Sequence, residues 1–222
     1  MENGWDVIRA FMGVLSQKGG RSAIYRGQPN TEWTLVPSIF RTGAVGIDQL
    51  DLLQKWKERV SRFASPLPMD DVEWLILAQH YGLATPLLDW TISPLVALFF
   101  ACDDEKSKDA PGEVWQALLD EFSQCHYTST VNAFGKGETR VKPFLINAIG
   151  RNTRSTAQDS LLSLHTANDY QGIRSERIFT IAPNRKATTL KALDKLSLNS
   201  ERLHVDIAKL VDRFKEEILT SR

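Results

Sequence analysis

Thiol chemistry is nearly absent from this chain of 222 residues, which carries two cysteines, Cys102 and Cys125. Two are too few for a disulfide framework, and they read as reduced, buried thiols. No CxxC or HExxH spacing occurs, which argues against a zinc site, so no metal is expected. Net charge is missing as well: 27 basic residues cancel 27 acidic ones. No global field therefore announces a nucleic-acid or membrane partner, although a local basic patch would suffice for nucleic acid. The longest apolar run, Pro94 to Cys102, is far too short to span a bilayer. The opening residues MENGWDVIRAFMGVL hold Glu2 and Asp6 where a signal peptide would be basic. The expectation is a soluble, cytoplasmic protein with no membrane partner. Walker loop, GxGxxG, GxSxG elbow and kinase signatures are all lacking.

What is present is an ordinary globular composition, 42% hydrophobic and 24% charged. Trp5, Ile8, Phe11, Met12 and Leu15 recur at helical spacing and predict a helix over 5–17, closed by Lys18-Gly19-Gly20. Ala23 to Gly27 reads as a strand, and Pro37 opens a helical turn. An amphipathic helix is expected over 47–63, broken by Pro66 and Pro68. Asp70 and Asp71 then start a helix that Gly82 stops after Tyr81. Leu87 to Trp90 reads as a strand, and Ser93-Pro94 begins a helix running to about Asp103. Residues 114–118 read as a strand with a helix as the alternative, 142–148 as extended and 177–182 as a strand, with a helix over 155–164. The segment 123–138 looks least ordered. One or two helices follow from Thr188, the last over 206–219. The sum is α+β: one domain over 1–222, with a small mixed or split sheet packed by several helices.

Four clusters could carry chemistry. In Tyr25-Arg26-Gly27-Gln28, an arginine on a strand can aim its planar fork at a phosphate or carboxylate; it can equally be a surface arginine beside a turn glycine. Gln79-His80-Tyr81-Gly82 ends a helix, where a histidine either serves a site or favours the helix dipole. In Leu87-Leu88-Asp89-Trp90-Thr91 a carboxylate lies among apolar neighbours and must be paired or capped. Arg174-Ser175-Glu176-Arg177 brings an acid to the entrance of a strand, where it is either a base at a cleft edge or part of a solvated charge cluster.

Together, YRGQPNTEWTLVPSIFR and LAQHYGLATPLLDWTISPLVALFFA resemble the FRG domain, best over residues 20–102, with Tyr25 in place of the family's phenylalanine. A fainter likeness is to the ADP-ribosyltransferases, whose fold would then be the expected one. That likeness implies a bacterial, NAD-consuming transferase, a toxin or antiphage effector, modifying a protein or nucleic-acid target and subject to an antitoxin or regulatory partner. It implies NAD as substrate, held by Arg26, Gln28, Tyr81 and Thr91. Glu176 and His80 would form the catalytic pair, with Asp89 and Gly27 supporting the site. The FRG resemblance alone implies the other reading, a non-catalytic module that binds a nucleotide, nucleic acid or protein.

Overall fold

A computed structural model of the chain describes residues 3–18, 22–41, 48–124, 142–148, 156–166, 169 and 173–204. The expected helix and strand at the N-terminal end are present as α1 (Gly4–Lys18) and β1 (Ala23–Gln28). Three helices follow, α2 (Ser38–Arg41), α3 (Gln49–Val60) and α4 (Asp71–His80). Next come β2 (Leu87–Thr91), α5 (Pro94–Cys102) and β3 (Gly112–Leu118). The rest is β4 (Ser123–Gln124), β5 (Phe144–Asn147), β6 (Ser160–Leu164), β7 (Ser175–Ile181), α6 (Pro183–Asp194) and α7 (Ser200–His204).

The helix starts have local causes. Asp48 accepts from Leu50 N at 2.9 Å and Asp51 N at 3.3 Å, capping α3. Asp70 accepts from Glu73 N at 2.9 Å while the Glu73 carboxylate accepts from Met69 N at 2.8 Å, a reciprocal arrangement close to a capping box. After α4 the chain turns at Gly82, whose φ of 82° is open to glycine and strained for other residues. Ser93 precedes Pro94 as expected, but its side chain makes no capping hydrogen bond.

The strands form one seven-stranded sheet in the order β4-β5-β6-β2-β1-β3-β7, antiparallel except for the β4–β5 pair. This is the α+β architecture with a mixed sheet that the sequence predicts. One expectation is corrected: of the helix expected over 155–164, residues 160–164 are in fact the strand β6, which pairs with both β2 and β5. All five of its residues are buried. A strand covered on both faces shows no alternation, so Leu161, Leu162 and Leu164 carry no period that separates it from a buried helix. The helix expected from Thr188 begins earlier, at Pro183, which supplies the first helical position. The segments 206–219 and most of 123–138 lie outside the described residues, as do Gly19, Gly20 and Cys125. Among the described residues no helix is long and apolar enough to cross a membrane.

The longer helices among the described residues share one side of the sheet. Phe11, Leu98, Val114, Leu193 and their neighbours form one core beneath α1, α5 and α6. Leu53, Leu75, Leu87 and Leu164 form another beneath α3 and α4. The far side buries Ile24, Leu88, Trp90 and Ala117 beneath Phe122, Leu35 and Ile173, which lie outside the long helices.

Candidate functional site

The register places the first cluster. Residues 24, 26 and 28 of β1 oppose 117, 115 and 113 of β3, so Arg26 and Gln28 share a face with Trp115 and Glu113. Tyr25 and Gly27 take the helix-covered face. A Cβ on Gly27 would lie 1.9 Å from the Ala97 carbonyl oxygen of α5, and one on Gly112 would lie 2.0 Å from that of Ala101. Glycine at position 27 is therefore needed for strand and helix to touch, which fixes the position of Arg26 beside it.

Arg26 spans a break in the sheet. Among the described residues β1 and β2 share a single bridge, Tyr25 with Thr91. Beyond it the Arg26 guanidinium does the joining: its Nη1 donates to the Asp89 backbone carbonyl at 2.7 Å and lies 3.7 Å from a carboxylate oxygen. Its Nε is buried with no hydrogen-bond partner among the described residues. The side chain keeps 16% exposure. Burial lowers its pKa and Asp89 opposes that shift; neighbouring Arg41, itself lowered by burial, adds to it.

Asp89 is held from the other side. Gln79 Nε2 donates to its carboxylate at 2.7 Å, and Gln79 Oε1 accepts from Thr85 Oγ1 at 2.7 Å. Thr85 in turn is tied to α2, its backbone N donating to Ser38 Oγ at 3.1 Å. Arg41, at the end of α2, is oriented by a 2.7 Å bond from Nε to the Val36 carbonyl. Two guanidinium groups thus attend one carboxylate, leaving a net positive charge that suits an anion.

Thr91, His80, Tyr81 and Glu176 have surroundings of their own. Thr91 is buried, accepting from Ser93 N at 3.0 Å and donating to the Gln158 carbonyl at 2.8 Å, so it shapes the end of β2. His80 and Tyr81 are exposed at the end of α4, their rings edge-on at 5.2 Å. Glu176 pairs in register with Gln116, which pairs with Tyr25, so alternation puts it on the face opposite Arg26. There it forms an ion pair with Lys18 of α1. The acid on the Arg26 face is Glu113. It is fully buried and accepts from Trp115 Nε1 at 2.7 Å and Arg177 Nη1 at 3.3 Å. Glu113, Trp115 and Arg41 escaped the reading of the sequence. The signal for the first two was an acid and a tryptophan two apart in a strand, a spacing that sets them on one face.

Among the described residues the fold is α+β, with the longer helices on one side of the sheet and an arginine-bridged polar break between two strands. Residues 21–110 match the model of the FRG domain, less than half of the chain. That span holds β1, β2 and the whole Arg26–Asp89–Gln79 cluster, and it ends before Glu113 and Trp115. No curated protein and no solved structure matches the chain.

Proposed function

We propose that this protein is a ligand-binding module whose site is the break between β1 and β2, and that its ligand carries phosphate held by Arg26. The observation that supports this reading most is the Arg26 side chain itself. It is largely buried, anchored through one nitrogen on the Asp89 carbonyl, and has an Nε with no partner among the described residues. A guanidinium desolvated in this way gains most from a group that brings negative charge and acceptor oxygens together. Arg41 adds charge of the same sign, and Gln79 and Asp89 fix the geometry.

NAD belongs to this ligand class, and ADP-ribosyl transfer to a macromolecular target is the catalytic form of the same proposal. That form needs an acid beside Arg26, and Glu113 satisfies the requirement of position, being on the same face and one strand away. Both oxygens of Glu113 are engaged by Trp115 and Arg177, and Glu176 lies across the sheet; the binding reading is therefore preferred. The test is thermal stabilisation by NAD, ADP-ribose and pyrophosphate, repeated with Arg26→Lys, since a ligand that binds only the folded state raises the Tm. The expected result is a rise in Tm that Arg26→Lys removes. No rise with any of the three sinks the proposal. Nicotinamide release from NAD with labelling of a lysate component would move the assignment to the transferase.

A further inference from the structure

On the helix-free face, Arg26, Trp115 and Arg177 stand side by side on β1, β3 and β7, because Trp115 is in register with both arginines. The half-buried indole is locked by its 2.7 Å bond to Glu113, whose other oxygen accepts from Arg177. Arg177 is 52% exposed at the side chain, and Thr180, in register with Glu113, is exposed too. The row is therefore open to solvent at its β7 end. An indole fixed by a carboxylate, on a sheet face where its two register neighbours are arginines, is suited to stacking a nucleobase with a phosphate-binding group on the next strand.

A second observation points the same way. Gln28, 1% exposed, has neither side-chain Nε2 nor Oε1 in a hydrogen bond among the described residues. Leaving a buried donor and acceptor both unmade is costly, and such groups call for a specific reason. Gln28 follows Arg26 by two residues, about 7 Å along the strand. It lies diagonally from Trp115, within about 8 Å by sheet geometry. A carboxamide offers one donor and one acceptor side by side, the complement of a purine edge.

We infer that Trp115 is the base-stacking shelf of the site, with Gln28 reading the base edge, so that the ligand is a purine nucleoside phosphate. This rests on the reading of Arg26 as the phosphate holder and deepens it. Glu113 is the positioning residue of the shelf, acting through the indole N–H and Arg177.

The experiment compares AMP with ribose 5-phosphate by isothermal titration of the full chain, in the wild type, Trp115→Phe and Trp115→Leu. The wild type is expected to bind AMP at least about tenfold more tightly than ribose 5-phosphate, the size of one base–aromatic stack. Trp115→Phe keeps that preference, and Trp115→Leu abolishes it while leaving ribose 5-phosphate affinity unchanged. Should the leucine variant fail to fold, the intrinsic fluorescence of the wild type serves instead: AMP quenches it, ribose 5-phosphate does not, and the quench disappears in Trp115→Phe. Equal affinity of the wild type for the two ligands overturns the shelf and leaves Arg26 as the phosphate holder. Binding of neither ligand overturns both readings.

Discussion

Arg26 reaches Asp89 first through the backbone: the carbonyl oxygen is 2.7 Å from Nη1, whereas the carboxylate is 3.7 Å away. The guanidinium therefore acts on β2 as a strand neighbour would, and the carboxylate answers mainly to Gln79. Charge and strand pairing can be separated by substitution. Asp89→Asn keeps the carbonyl contact and is expected to cost no more than about 1 kcal/mol, because the lost pair is half-exposed. Arg26→Ala strands a carbonyl at the break and is expected to cost about 1–3 kcal/mol. Urea unfolding of both variants checks the order; an Asp89→Asn loss larger than that of Arg26→Ala would show that charge dominates.

Gly27→Ala is predicted to damage the fold more than its single methyl group suggests. The new Cβ meets the α5 backbone at 1.9 Å, and backbone cannot move aside as a side chain can. Overpacking of this kind costs about 1–3 kcal/mol or more. Gly82→Ala is the control, since it meets open space and only its positive φ resists. Its cost should be about 1 kcal/mol. Chemical denaturation of the two variants, side by side, gives the comparison.

Two acids distinguish the faces of the sheet. Glu176 is 66% exposed at the side chain, and Glu176→Gln, which removes its ion pair with Lys18, should change stability by less than about 0.5 kcal/mol and leave nucleotide binding alone. Glu113→Gln takes charge from a fully buried group with two donors and should cost about 1–3 kcal/mol. It should also weaken AMP binding more than ribose 5-phosphate binding. Loss of binding in Glu176→Gln with the fold intact would reverse this assignment.

Alkaline pH offers a test of the core. Burial pushes the Cys102 thiol from 9.0 up to about 12, with Lys186 opposing the shift. The folded state therefore holds a proton that the unfolded chain releases above pH 9, and stability from this group falls between pH 9 and about 12 by up to about 1.4 kcal/mol per pH unit. Lys186 works the other way. Its pKa is lowered, chiefly by burial, so its contribution rises with pH in the window below 10.5. The Cys102→Ala variant should lose stability less steeply than the wild type between pH 8 and 10.5. Equal slopes in urea titrations would show that the thiol is not the group responsible.

Much of the fold was legible because its signals are local. Asp70, Gly82 and Pro94 mark helix ends by capping, positive φ and a fixed ring, and each works without distant partners. Strand β6 was not legible, since Leu161 to Leu164 are buried on both faces and the alternation that marks a strand vanishes. The site divided along the same line. Arg26, Gln79 and Asp89 lie inside recognisable motifs, and the structure brings them together. Arg41 joins them only through the α2 turn, and Glu113 only through the β1–β3 register. Linear order suggested Glu176 as the acid, but strand alternation sends it to the other face, a fact that only the register reveals.

The single bridge between β1 and β2 gives Arg26 two duties that no substitution at position 26 can fully separate. The side chain is a rivet across a seam and a hook for whatever enters it. A variant that loses the hook also loosens the rivet, so an unfolding curve must accompany every affinity measured at this position. A ligand that fills the seam should in turn tighten the sheet, and its grip would be read in the cohesion of β1 with β2 as much as in its own occupancy.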